Sequence, residues 1–310
     1  MEGVKDYFLE AIESYILDLD RKEITKDSYK RTLLRFSAYL KSRSLLIPKS
    51  RNIIEYKEHL SKSVGASSIQ KAVVVLRGFF VYLAKNEIYP NIMVGIRGMK
   101  ISKVMKRNTL SIEHLESIVA IAKRKSEETM EGCRDYAILM LIATTGLRTI
   151  EVSRANVSDL SEIGDSKILY IQGKGKDDRN EYVKVSPEVY KLIEDYLKKR
   201  SDSYEPLFVT CGRNSNGNRI QTRTIRGFVK ELLYEAGIYD QNVSAHSLRH
   251  FVCSQILRNG GTLEEAQQVL RHKDISTTQI YNHSLSRIDN DSELKVSDSV
   301  FHYGGKKDGD

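Results

Sequence analysis

The chain has 310 residues, 40% of them hydrophobic and 29% charged, a balance ordinary for a soluble globular protein and long enough for two domains with separate cores. No apolar run approaches the roughly 18 to 20 residues of a membrane span, and the start is amphipathic and partly acidic rather than a signal peptide, so a cytoplasmic, nucleoid-associated protein is expected. Three widely spaced cysteines, Cys133, Cys211 and Cys253, exclude a disulfide framework or zinc knuckle, and a net charge of +8 permits a polyanionic partner without requiring one.

Apolar residues three and four apart predict helices at Val4 to Leu19, Thr25 to Arg43, Ser50 to Ser63 and Ser67 to Asn86. In the second, Tyr29, Leu33, Phe36 and Leu40 trace one stripe, while Lys26, Lys30, Arg31 and Arg35 lie away from it. Between Glu87 and Glu113 no acidic residue occurs. Arg97, Lys100, Lys103, Lys106 and Arg107 fall there with Pro90, Gly95 and Gly98, which marks a basic interdomain linker able to follow a phosphate backbone.

Beyond Thr109 helices are predicted at Ser111 to Ser126 and Gly132 to Thr144. Two short strands follow, Lys167 to Gln172 and Asn180 to Val185, joined by a hairpin turn at Gly173 to Asp178. Helices resume at Pro187 to Lys199, Thr222 to Ala236, His246 to Asn259, Leu263 to Arg271 and from Thr277. Thr262 with Glu265, and Ser276 with Gln279, have the spacing of capping boxes. Ile275 and Ile280 flank the second cap as a staple, so Tyr281 is expected in the second turn of a fixed helix.

Several residues carry chemistry by type and spacing. Arg148 lies near a helix start, with Glu151 one turn on to hold its guanidinium. Lys174 sits between two glycines in the hairpin, mobile enough to reach a ligand. His246 and Arg249, three apart, project from the first turn of one helix, where free amides suit an anion. A metal reading of His246 with His250 lacks a carboxylate or thiolate and sets Arg249 between the ligands.

Taken in order, Arg148, the hairpin lysine, His246-x-x-Arg249, His272 and Tyr281 nine residues later resemble the tyrosine recombinases, the phage integrase family, and most of all its compact Xer-type or simple mobile-element members. The resemblance implies a mainly α fold with a small antiparallel β-sheet. It divides the chain into a helical core-binding domain (1–90), the basic linker (91–108), a catalytic domain (109–283) and a tail (284–310) that is a candidate protomer-docking segment. It further implies that Arg148 and Arg249 clamp the scissile phosphate and that His246 and His272 complete the pocket. Tyr281 is then the nucleophile and Lys174 the general acid, with Lys176 the weaker lysine candidate. The expected partners are double-stranded DNA and, in a synaptic tetramer, three further copies of a chain that is monomeric when free. Neither a metal-ligand set nor a nucleotide-binding loop is visible, so no cofactor is expected. Arg271 departs from the family's usual glycine before His272, and Thr149-Ile150 from its usual pair before Glu151. Rival readings are a type IB topoisomerase and an inactive DNA-binding accessory protein.

Overall fold

A computed structural model describes residues 3–45, 47–100, 110–172, 180–212, 217–271, 296–297 and 300. Among them are eleven α-helices and a three-stranded sheet, in two compact units, Met1–Lys103 and Val104–Asp310.

The first unit contains α1 (Gly3–Asp18), α2 (Glu23–Ser42), α3 (Ser50–Ser61) and α4 (Ala66–Lys85). The predicted stripe of α2 turns inward: Leu33, Phe36 and Leu40 are buried and Tyr29 half-buried, whereas Arg31 and Arg35 stay exposed. Phe36 meets Tyr56 of α3 edge-on, with ring centroids 5.0 Å apart, a geometry that adds about 1 kcal/mol beyond burial. By length and composition alone, helix α4 is long and apolar enough to cross a membrane. Its apolar residues are instead spent on this core, where Ile69, Val73, Leu76, Phe79 and Phe80 are each 2% exposed or less.

Residues that follow α4 are built onto the same unit. Met93 and Ile96 join its core, Ile96 O accepts from Arg77 Nη2 at 2.8 Å, and Met99 N–H donates to Gln70 Oε1 at 2.8 Å. Two apolar side chains within the basic segment thus anchor it, leaving Arg97 and Lys100 exposed. Lys103, Lys106 and Arg107 lie outside the described residues.

The second unit is organised around α6 (Met130–Thr145), which follows α5 (Ile112–Glu128). Ala137, Ile138, Leu139, Leu141 and Ile142 are all fully buried, the pattern of a helix surrounded by protein. After it come α7 (Thr149–Arg154), a 3-10 turn (Val157–Asp159) and the strands β1 (Leu160–Ile163), β2 (Ser166–Ile171) and β3 (Glu181–Lys184). The order is β1-β2-β3, antiparallel throughout, with Leu169 opposite both Leu160 and Val183. Strand β1 is absent from the sequence reading. It has four residues, half of them exposed, which is too short to display a period of two, and only the turn glycine Gly164 at φ 55° announces it. The hairpin turn at 173–178 lies outside the described residues.

Helices α8 (Pro187–Arg200), α9 (Thr222–Glu235), α10 (Ala245–Arg258) and α11 (Leu263–Leu270) complete the unit. The first capping box forms as its spacing requires: Thr262 Oγ1 accepts from Glu265 N–H at 3.1 Å, and Thr262 N–H donates to Glu265 Oε2 at 2.8 Å. The second box and the helix expected from Thr277 are outside the described residues. All three cysteines are free, with Cys133 and Cys253 buried.

Two contacts set the turn from which the site grows. Helix α6 ends at Gly146 in the left-handed region (φ 65°), its N–H donating to Ile142 O at 2.9 Å. A β-carbon there would stand 2.5 Å from Leu270 Cδ2, so α11 closes on α6 only over a glycine. Gly146→Ala combines left-handed strain with overpacking and should cost about 2 to 4 kcal/mol, read as a lowered urea midpoint at unchanged slope. An unchanged midpoint would show that the contact yields freely. Further on, Arg219 Nη1 donates to Ser153 O (3.0 Å) and Ala155 O (2.8 Å), while Ser153 Oγ donates to Ile220 O (2.6 Å). These bonds hold the short α7 that carries Glu151, just after Arg148.

Candidate active site

Arg148 is the N-cap of α7, and Glu151 fills the third helical position. The carboxylate accepts twice from Arg148: its backbone N–H reaches Oε2 at 2.8 Å and its Nη1 reaches Oε1 at 2.8 Å. The sequence spacing anticipated this pair, but not its depth. Glu151 is 1% exposed, whereas the Arg148 side chain keeps 29% of its surface in solvent. A second cation shares the carboxylate, Arg271 Nη2 donating to Oε2 at 3.0 Å. Burial drives the Glu151 carboxyl up, but Arg271, the Arg148 N–H and the Arg148 guanidinium together outweigh it, and the group is held below the usual glutamate range.

Arg249, on α10, is 1% exposed. Its guanidinium is fixed by two main-chain carbonyls, Nη1 donating to Gly146 O and Nη2 to Leu270 O. It therefore lies inside the protein wall rather than projecting from the helix surface. Burial and then the Arg148 charge push it down to about 9, against the pull of Glu151, which still leaves it cationic at neutral pH.

Arg148 and Arg271 thus share one carboxylate, and Arg249 lies near enough to feel the charges of all three, leaving a formal excess of two positive charges. Such a cluster is costly unless an anion joins it, and guanidinium groups match the oxygens of a phosphate.

His246 opens α10 on the solvent side, its N–H donating to the Ser244 hydroxyl at 3.3 Å, so part of the free amide end is consumed by a cap. Its ring packs edge-on against His250, with centroids 4.4 Å apart. Surrounding protein, then the charges of Arg249, Arg148 and Arg226, lower it from the ordinary 6.5. The neutral imidazole is thereby favoured, and that form can accept a proton. Because the unfolded chain binds this proton more tightly, the linked stability is full above about pH 6.5 and declines as the pH falls below it. An NMR titration should place the His246 midpoint below 6.5 and move it upward when inorganic phosphate is added. A midpoint at or above the ordinary value would refute the cationic surroundings.

The fold brings together Arg148, Glu151, His246 and Arg249. Lys174, His272 and Tyr281 lie outside the described residues. Sequence reading missed the carbonyls of Gly146 and Leu270 and the pairing of Arg271 with Glu151. Its one available signal was an arginine immediately after α11, where a glycine is expected. Among the described residues no group of three or more His, Cys, Asp or Glu side chains stands close enough to hold a metal ion.

Residues 108–287 match the phage integrase family, and residues 12–87 match the phage integrase N-terminal SAM-like domain. The chain belongs to the phage integrase family, the tyrosine recombinases. It is 31% identical over 271 residues to tyrosine recombinase XerD of Rhizobium meliloti (strain 1021), covering 84% of this chain and 85% of that protein. It is 30% identical over 238 residues to tyrosine recombinase XerC of Thermodesulfovibrio yellowstonii, covering 73% and 74%. In fold it resembles the XerH site-specific recombinase bound to palindromic difH substrate, with a TM-score of 0.70 at 22% identity over 90% of this chain and 80% of that one. A lambda integrase fragment bound as a dimer to a core site gives a TM-score of 0.67 at 14% identity, over 86% and 96%.

Proposed function

We propose that this protein is a site-specific recombinase of double-stranded DNA that cuts and rejoins strands through a 3′-phosphotyrosyl ester on Tyr281. The observation that carries the reading is that Arg148, anchored on the buried Glu151, and Arg249, anchored on the carbonyls of Gly146 and Leu270, lie close enough to shift each other's charge, with positive charge left over for an anion. Its solved relatives in fold include recombinases bound to DNA sites, XerH on difH and lambda integrase on a core site.

The Tyr281 phenol oxygen attacks the scissile phosphorus and forms a new P–O bond while the bond to the 5′ oxygen breaks. The phenol proton passes to a pocket base, and the departing 5′ oxygen takes a proton from Lys174. Arg148 and Arg249 neutralise the charge that builds on the non-bridging oxygens, acting from positions already held before reaction. A 5′-hydroxyl from a second strand then reverses every step. No metal ion and no ATP are needed, since guanidinium groups supply the charge and the tyrosyl ester retains the phosphodiester energy. Arg97, Lys100, Lys103, Lys106 and Arg107 serve as phosphate-backbone contacts. Four copies, monomeric when free, act together on two duplexes.

A nicked suicide duplex from the gene's own flanking DNA tests this. A denaturant-resistant protein–DNA adduct is expected in EDTA without ATP, with strand exchange between two marked duplexes. Relaxation of supercoiled plasmid without exchange would replace the reading by a topoisomerase. Retained binding with no adduct would leave an inactive scaffold.

A further inference from the structure

We propose that Arg271 is a positioning residue of the phosphate pocket: it holds one oxygen of Glu151 so that the other fixes the Arg148 guanidinium, and it adds a third stationary cation beside Arg249. This inference rests on the recombinase reading and deepens it.

Arg271 follows α11 directly and adopts φ 54°, ψ 47°, a left-handed conformation that side-chain-bearing residues rarely take. Its N–H closes the helix on Gln267 O and Gln268 O. The side chain turns inward and is only 10% exposed. Nη2 reaches Glu151 Oε2 at 3.0 Å, and Nη1 reaches Val269 O at 2.8 Å. The preceding carbonyl, Leu270 O, is the one that accepts from Arg249. Arg271 therefore ties the end of α11 to Glu151 of α7, next to the carbonyl that holds Arg249 of α10.

Two points separate this from an ordinary structural ion pair. Against burial, the charge of Arg271 is the largest single influence keeping Glu151 ionised, beside the hydrogen bonds and charge of Arg148. Without it the carboxyl would drift toward its neutral form, and the anchor of Arg148 would weaken. Arg271 Nε, moreover, is buried with no hydrogen-bond partner among the described residues. A guanidinium serving only packing would be expected to use that donor.

The test compares Arg271→Gly, which suits the left-handed backbone, with Arg271→Lys, which keeps the charge. On the suicide duplex at saturating DNA, Arg271→Gly should cleave about 10- to 100-fold more slowly while its DNA affinity stays within about twofold. Arg271→Lys should recover most of the rate. In a Glu151→Gln background the glycine substitution should cost less than about threefold, because the route through the carboxylate is already broken. Parent-like cleavage by Arg271→Gly, or full additivity with Glu151→Gln, would overturn the proposal. A DNA-free arm keeps it distinct from the recombinase reading. Inorganic phosphate should protect the parent and Arg271→Lys against thermal unfolding, and Arg271→Gly at about tenfold weaker apparent affinity. If the parent forms no adduct, the recombinase reading fails and this arm alone decides the inference. Equal protection of all three proteins would refute it.

Discussion

Tyr281→Phe is expected to abolish the covalent protein–DNA adduct while leaving DNA affinity within about twofold of the parent. Phenylalanine keeps the ring and removes only the oxygen proposed to attack. At neutral pH an unperturbed tyrosine, with a pKa of about 10, is ionised about one part in a thousand, a deficit of about 4 kcal/mol that its surroundings must supply. In the proposed mechanism the clustered guanidinium groups offer that stabilisation, and without the oxygen they would have nothing to act on. Adduct formation should therefore fall by at least about 10³-fold, followed on denaturing gels beside a mobility-shift titration on the same duplex. An undiminished adduct would move the nucleophile to another residue. A large loss of affinity would show that the hydroxyl serves binding instead.

Arg249 should separate stability from chemistry. Its guanidinium is 1% exposed and holds the carbonyls of Gly146 and Leu270. Arg249→Ala opens a cavity and leaves both carbonyls unpaired, so a loss of about 3 kcal/mol or more is expected in urea unfolding. Arg249→Lys retains a cation and one donor direction, and should unfold closer to the parent. It lacks the planar fork proposed to clamp the scissile phosphate, so single-turnover cleavage should still drop about 10²- to 10³-fold. A lysine variant that cleaves at the parental rate would show that bidentate contact is not used.

Much of this architecture could be read locally. The stripe Leu33, Phe36, Leu40 foretold the buried face of α2, and Thr262 with Glu265 foretold the start of α11, because both depend on residues within a few turns. Arg148 and Glu151 met for the same reason. Strand β1 escaped because its four residues acquire meaning only beside β2.

The chain by itself therefore supplied the residue types, their order and such one-turn pairings as Arg148 with Glu151 and Thr262 with Glu265, since capping and three-residue spacing are short-range interactions. Folding in three dimensions decided that Arg249 is buried, that Gly146 and Leu270 orient it, and that Arg271 shares the carboxylate of Glu151. Arg249 and Gly146 stand 103 residues apart, and Arg271 and Glu151 stand 120 apart. Contacts at that separation are selected by the packing of α6, α7, α10 and α11 as a whole, whose collective burial offsets the loop-closure entropy that no local pattern registers.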